Sequence, residues 1–193
     1  MTRSTSAIGA LIAAVALSTP AAAAPGSDEA RAHFEAGVAL LQDPEGARYE
    51  EAYREFRAAY DASRSPRVLG NIGLCAMKLE RDEEAIDAYE RYLAEAPEVD
   101  PAEREQIQRD LMTLRRGMVR VTLRVSPPDA TVLDVRVPVR GEPVRNTYVA
   151  RGGTVTLGIR PGHHVLRARA FARESPPWEI DAAPGDDLAH ALV

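Results

Sequence analysis

The chain contains one cysteine, Cys75, in the segment "NIGLCAMKLE". A reactive thiol needs a neighbouring base or cation that lowers its pKa, and this segment supplies only Lys78. A single cysteine has no partner for a disulfide within the chain, which leaves a disulfide between two chains or a buried side chain. Because free cysteine behaves as a small hydrophobe, we expect Cys75 to be a packing residue, with the intermolecular disulfide as the alternative.

Histidines and carboxylates are the other residues that could support catalysis or bind a metal. His163 and His164 are adjacent, and on a strand such neighbours point to opposite faces and cannot easily bind one metal ion. The run "RDEEAIDAYE" places its carboxylates on the solvated outer face of a helix, whereas acid–base catalysis needs two carboxylates in different environments. These residues are Glu83, Glu84, Asp87 and Glu90. With no HExxH, GxSxG or phosphate-loop pattern, we expect no enzyme activity, metal or cofactor.

The N-terminal segment has the composition of a secretory signal peptide. Arg3 precedes an apolar run from Ala7 to Leu17, and small residues follow. This order predicts a signal peptide over residues 1–23, with a core too short to span a bilayer. A retained signal anchor is the alternative. We expect an exported protein of the periplasm or cell envelope, with no membrane span in its mature chain.

Charge is distributed unevenly along the 193 residues. Residues 24–116 contain 13 basic and 21 acidic side chains, and residues 117–193 contain 10 basic and 8 acidic ones, which gives net charges of −8 and +2. Since phosphate binding needs a basic face, this balance argues against nucleic acid as a partner of the helical half.

Apolar residues recur at helical spacing from Asp28 to about Arg116. Turn signals divide this stretch into five predicted helices, and their short connections make successive helices antiparallel. The first helix is capped by Ser27 or Asp28 and ends at Leu41. The others are predicted over residues 49–62, from about residue 67, over 83–95 and over 102–116.

Two of the predicted hairpins share a repeat. Ala52 and Phe56 recur 33 residues later as Ala85 and Tyr89, and Gly37 and Gly73 precede the two sets. Residues 66–98 here resemble the tetratricopeptide repeat, a helix-turn-helix unit of about 34 residues. The matching positions are Leu69, Ile72, Gly73, Ala76, Ala85, Tyr89 and Pro97. The resemblance implies an antiparallel helical array over residues 28–116, with about two repeats and a capping helix.

In tetratricopeptide arrays the first helix of each pair lines a concave groove that binds an extended peptide or a partner helix. Asn71 and Arg67 match positions that contact peptide carboxylates in some members, although Phe34 and Val38 replace the lysine and asparagine that complete such sites. The alternative is that these residues only keep the helical stack soluble. The resemblance assigns nine residues to the groove: Arg31, Glu35, Val38, Arg67, Asn71, Leu74, Lys78, Arg104 and Gln108.

From Gly117 onward, apolar residues alternate with polar residues instead of recurring at helical spacing. In "MVRVTLRVSP" the valines and leucine fall on one face and Arg120, Thr122 and Arg124 on the other, which indicates a half-buried strand. Six similar runs follow, and we expect a small antiparallel β-sandwich of seven strands. In "RPGHH", Pro161 and Gly162 suit the centre of a type II turn, which predicts a hairpin there.

Residues 117–193 resemble the PEGA-type domain, a β-sandwich that often accompanies such repeats in exported bacterial proteins. The resemblance rests on the order of "VRVTLRVSPPDATV", "VTLGIRPGHHVLRARA" and "APGDDLAHALV". Outward arginines could attract an anionic polysaccharide or the acidic first half, or could protect strand edges from aggregation. These are Arg120, Arg124, Arg167 and Arg169. We expect the Trp178 ring to fill one end of the sandwich core. The alternative is that this ring stacks on a bound sugar.

Together these patterns predict three regions: a signal peptide (1–23), a tetratricopeptide-like helical domain (28–116) and a PEGA-like sandwich (117–193). The function we expect is that of a non-enzymatic exported adaptor or scaffold that binds a partner peptide or helix in the helical groove. The alternative is a module that binds cell-wall glycan or polysaccharide through the sandwich.

Overall fold

The structure is a computed structural model that describes residues 27–193, so the predicted signal peptide lies outside the described residues. Five helices precede eight strands, which confirms the predicted α-then-β layout. The bounds of the predicted helices agree with the structure within one or two residues. The helices are α1 Asp28–Leu41, α2 Tyr49–Ser63, α3 Arg67–Lys78, α4 Asp82–Glu95 and α5 Pro101–Gly117.

Side chains outside the helices explain where two of them begin. The Ser27 hydroxyl accepts a hydrogen bond from the Ala30 N–H at 3.2 Å and caps α1. Asp100 caps α5 by accepting from the N–H groups of Ala102 and Glu103 at 2.9 and 3.2 Å. Pro101 follows Asp100 at the first helical position, where the N–H that proline lacks would have no intrahelical partner.

The two helical hairpins share a contact between a glycine and an aromatic ring. A Cβ atom on Gly37 would lie 2.8 Å from the Phe56 ring, and one on Gly73 would lie 2.5 Å from the Tyr89 ring. Each glycine therefore lets the first helix of a hairpin approach the aromatic residue of the second. The spacing that predicted the repeat thus reflects the same packing contact in both hairpins.

Eight strands form two sheets. One has the order β4-β1-β8, and the other has the order β3-β2-β5-β6, with β7 also paired to β5. All seven predicted strands are present, and β6 is additional. The strand pairs are antiparallel, as predicted, except for β1–β8, which is parallel. The strands are β1 Val119–Val125, β2 Thr131–Val137, β3 Val144–Val149, β4 Thr154–Ile159, β5 Gly162–Ala170, β6 Arg173–Glu174, β7 Trp178–Ala182 and β8 Asp187–Leu192.

The predicted hairpin at "RPGHH" is wrong. The two strands that flank Pro161 belong to different sheets, because β4 pairs with β1 and β5 pairs with β2. Gly162 adopts a positive φ of 134°, which favours glycine, but it is the first residue of β5 and does not have the φ of about 80° that a type II turn requires. A turn signal reports a change of chain direction but not the partners of the strands that follow it.

Side chains from both sheets form one core. Leu123 and Ile159 from the three-stranded sheet pack with Val132 and Leu166 from the other, and all four are almost completely buried. Trp178 is half-buried and packs against this core. Its ring stacks on the His190 ring with centroids 4.4 Å apart, which joins β7 to β8 across the two sheets.

The close contact at Gly73 predicts a large effect of one methyl group. Gly73→Ala should lower the free energy of unfolding by about 1–3 kcal/mol, because the new Cβ would overlap the Tyr89 ring. Gly117→Ala is the matched control, since nothing lies within 4 Å of a Cβ at this end of α5. Urea unfolding followed by circular dichroism measures both, and equal stabilities of the two variants would contradict the packing argument.

Candidate protein-interaction site

The nine residues assigned to the groove, here called the groove strip, lie on α1, α3 and α5. On α3, Arg67, Asn71, Leu74 and Lys78 are spaced by four, three and four residues, which places them on one side of the helix. Arg67 and Lys78 are exposed, whereas Asn71 and Leu74 are half-buried. The buried residues of α3 are Val68, Leu69, Ile72, Gly73, Cys75 and Ala76.

The strip residues of the other two helices show the same mixture of exposure. On α1, Arg31 and Glu35 are exposed and Val38 is half-buried. On α5, Gln108 is exposed and Arg104 is half-buried. The groove strip therefore exposes charged and amide groups to solvent, and its half-buried residues include the apolar side chains of Val38 and Leu74.

Tyr92 on α4 lies beside α3, since a Cβ atom on Gly70 would lie 3.1 Å from its ring. Its hydroxyl donates a hydrogen bond to Glu103 at 3.1 Å. Burial, followed by the Glu103 charge, raises the pKa of Tyr92 to about 12, while the charges of Arg67 and Arg104 act in the opposite direction.

The charge of the groove strip differs from that of the helices that carry it. Four of its nine residues are basic and only Glu35 is acidic, although residues 24–116 have a net charge of −8. The nine residues of the groove strip therefore have a net charge of +3, from four basic residues and one acidic residue.

Cys75 lies outside the groove strip. Its side chain is completely buried in the helical core, as the sequence predicts. Burial raises the pKa of the Cys75 thiol to about 12, so the reactive thiolate is scarce at neutral pH.

We expect Cys75 to be unreactive in the folded protein. At pH 8 a thiol reagent such as dithionitrobenzoate should leave native protein unmodified, and should modify one thiol per chain in guanidinium chloride. Non-reducing electrophoresis should show a monomer. A disulfide-linked dimer, or rapid labelling of native protein, would contradict the burial of this side chain.

The turn between α3 and α4, residues 79–81, contacts the sandwich together with Met77 and Asp82 at the adjoining helix ends, and we call these contacts the junction. Glu80 has a φ of 61°, which is uncommon for a residue other than glycine. Both of its carboxylate oxygens accept hydrogen bonds from the Arg136 guanidinium on β2. The side chains of Glu80 and Arg136 are only 12% and 18% exposed, so water screens this ion pair weakly. The hydrogen bonds to Glu80 raise the pKa of Arg136.

Arg160, between β4 and β5, binds three groups of the helical module. Its Nε donates to both carboxylate oxygens of Asp82 at 3.1 Å, and its terminal nitrogens donate to Glu80 at 3.3 Å and to the Met77 carbonyl at 2.6 Å. Asp82 is buried, and burial raises its pKa, whereas the hydrogen bonds from Arg160 favour the ionised form. A cation beside the last turn of α3 also interacts favourably with the helix dipole.

Asn146 on β3 completes the junction. Its Nδ2 donates to the Leu79 carbonyl at 3.0 Å, and its Oδ1 accepts from Arg81 at 3.0 Å. Arg81 also donates to Glu50 of α2 at 2.7 Å. The last carbonyl groups of a helix lack the intrahelical hydrogen bond that earlier ones accept. At the C-terminal end of α3, Arg160 and Asn146 of the sandwich donate hydrogen bonds to the carbonyls of Met77 and Leu79.

A buried histidine supports the junction from inside the sandwich. His164 is 1% exposed, with Nδ1 2.8 Å from Asp134 and Nε2 2.7 Å from the main-chain oxygen of Arg160. His163 is partly exposed and lies 2.9 Å from Asp181, so the adjacent histidines occupy opposite faces, as predicted.

Within residues 27–193, no group of three or more histidine, cysteine, aspartate or glutamate side chains could hold a metal ion.

Two sequence predictions about charges need correction. Glu84 is not a solvated carboxylate, because it is half-buried and accepts a hydrogen bond from the Tyr53 hydroxyl at 2.6 Å. The arginines that bind the acidic helical half are Arg136 and Arg160 rather than the outward Arg120 and Arg124, which are exposed. No pattern in the sequence identified Arg136 and Arg160, because a contact between residues far apart in the chain produces no local periodicity.

The junction predicts that the two halves unfold together. Arg136→Met should lower the free energy of unfolding by about 2–4 kcal/mol, since it leaves the shielded Glu80 carboxylate with Arg160 alone. The exposed pair Arg48–Glu51 is the matched control, and Arg48→Met should cost less than about 1 kcal/mol.

Two signals follow the two halves separately during urea unfolding. Helical circular dichroism reports residues 28–117, and the fluorescence of Trp178, the only tryptophan, reports the sandwich. Their midpoints should coincide in the unmodified protein and separate in Arg136→Met. Separate midpoints in the unmodified protein would show that the junction does not couple the halves.

No protein-family model matches the sequence, and no curated protein has a significantly similar sequence. The tetratricopeptide and PEGA resemblances therefore rest on the residues quoted for them. None of the helices in the described part of the chain has the length and apolar composition that a membrane span requires.

Proposed function

We propose that this protein is an exported, non-enzymatic adaptor that binds a partner polypeptide, as an extended peptide or a helix, on the groove strip. The observation that carries the proposal is the excess of positive charge on this strip within an acidic helical module. A helical surface that only keeps the module soluble does not require an excess of basic residues, whereas a surface that binds an acidic partner does.

The recurring glycine–aromatic contact supports the tetratricopeptide resemblance on which the groove depends. Gly37 with Phe56 and Gly73 with Tyr89 are equivalent contacts in successive hairpins, as expected of a repeat. The PEGA-like assignment of the sandwich, export and a location in the periplasm or cell envelope are parts of the same proposal. In this proposal the sandwich holds the α3–α4 turn through the junction and leaves the strip on α3 accessible.

Partner capture with matched variants tests the proposal. Tagged mature protein is incubated with an envelope extract, and captured proteins are quantified for the unmodified chain, for Asn71→Ala/Lys78→Ala and for Arg124→Ala. Arg124 is exposed on β1 and outside the strip, so its variant controls for loss of surface charge. Loss of two hydrogen-bonding groups at the strip should weaken a partner at least about tenfold.

The partner found in this way is then purified and titrated directly against the three proteins. Reduced affinity of Asn71→Ala/Lys78→Ala alone, with an unchanged unfolding temperature, supports binding on the strip. Equal affinities for all three proteins would place the partner elsewhere. Retention on insoluble peptidoglycan with no captured protein would favour the alternative, glycan binding through the sandwich.

A further inference from the structure

A cleft of about 1150 Å³ lies between the helical module and the sandwich. Helices α2 and α4 supply its charged wall, and strands β3 and β4 supply the opposite wall. Ligand pockets typically measure about 300–1,000 Å³, so this cleft has room for a ligand larger than a small metabolite. The cleft is separate from the groove strip, because none of the nine strip residues lines it.

Tyrosines and arginines alternate along the charged wall. Tyr53, Arg57 and Tyr60 lie on α2 at spacings of four and three residues, so they share one side of the helix, and Arg64 directly follows its last residue. The Arg57 guanidinium lies 5.9 Å from the centroid of the Tyr53 ring, and that of Arg64 lies 5.5 Å from the centroid of Tyr60. A guanidinium group that lies over an aromatic ring is already restricted in its conformation. It therefore loses little conformational entropy when it binds a carboxylate.

Two arginines of the cleft have no carboxylate partner among the described residues. Arg57 donates only to the Tyr53 hydroxyl, at 3.3 Å, and Arg151, exposed on the sandwich side, forms no ion pair there. Other arginines of the lining are paired, for example Arg64 with Asp61 at 3.3 Å. The cleft therefore presents two available guanidinium groups from opposite walls, which suits a ligand with more than one carboxylate.

The sandwich wall also offers an open strand edge. The Ala150 N–H donates to the Ala130 carbonyl at 3.1 Å, toward β2. Because main-chain groups alternate in direction along a strand, those of Thr147 and Val149 point away from β2. Both residues are exposed and line the cleft. Unpaired groups at such an edge are a template for a further strand.

The first turn of α4 packs on the outer face of β4. A Cβ atom on Gly158 would lie 2.8 Å from the Cβ of Glu83, and the Cβ of a strand residue points out of the sheet. Helix α4 therefore forms a wall over β4, whereas Thr147 and Val149 of β3 are exposed.

We propose that the cleft binds an extended acidic peptide, which adds as a strand to the open edge of β3 and places carboxylates on Arg57 and Arg151. The main-chain edge favours a polypeptide over an anionic glycan, which cannot form the hydrogen bonds of a strand. This inference does not depend on the proposed groove, because a different set of residues carries it.

Fluorescence anisotropy with three probes tests the proposal. The probes are a labelled octapeptide of alternating valine and glutamate, its counterpart with lysine in place of glutamate, and labelled polygalacturonate. The glutamate peptide should bind, more weakly as salt is added, and the lysine peptide should not. Arg57→Ala/Arg151→Ala should weaken binding at least about tenfold, and Arg124→Ala should leave it unchanged.

A second pair of variants tests the strand edge. Val149→Pro removes an N–H that points away from β2, a position where an edge strand tolerates proline, and Val149→Ala is its control. The proline variant should lose binding and the alanine variant should retain it. Hydrogen exchange of the unmodified protein should slow at Thr147 and Val149 when the peptide is bound.

Three outcomes would overturn the proposal. One is no binding of the glutamate peptide at millimolar concentration. Another is tighter binding of polygalacturonate that depends on Arg57 and Arg151 but not on Val149, which would make the cleft a glycan site. The third is loss of peptide binding in Asn71→Ala/Lys78→Ala but not in the cleft variants, which would assign the peptide to the groove strip.

Discussion

The ion pair between Glu80 and Arg136 is the contact on which the arrangement of the two halves depends. It places the α3–α4 turn against an end of the sandwich where polar residues, including Asn146 and His164, replace the apolar side chains of the core. Without the turn, the side-chain amide of Asn146 would lose both of its hydrogen-bond partners, Arg81 and the Leu79 carbonyl. The helical module therefore closes the sandwich as well as being attached to it.

Charged contacts of this kind specify geometry more than they add stability. Removing Glu80 and Arg136 from water costs several kcal/mol per ion, and their attraction offsets much of that cost only when hydrogen bonds are complete. At the junction they are nearly complete, because the carbonyls of Met77 and Leu79 also receive donors. A turn shifted by a few ångströms would leave buried charges unpaired, so one docking position is strongly preferred.

This fixed position gives the protein two surfaces with different character. The groove strip on α1, α3 and α5 is formed by the helices alone and needs only their packing. The cleft exists only because the junction holds α2 and α4 across from β3, and its open strand edge at Thr147 and Val149 would otherwise face bulk water. A peptide bound there would contact both halves, and its affinity would depend on the junction as well as on Arg57 and Arg151.

The sequence by itself determined the five helices and seven of the eight strands of the described residues, because periods of 3.6 and 2 residues are local properties. It also predicted the burial of Cys75. Only the tertiary structure decided how strands pair, why the chain crosses between sheets at Pro161, and which charges meet. Glu80 and Arg136 are 56 residues apart, and a local pattern shows which face a side chain occupies but not the partner that the fold brings to it.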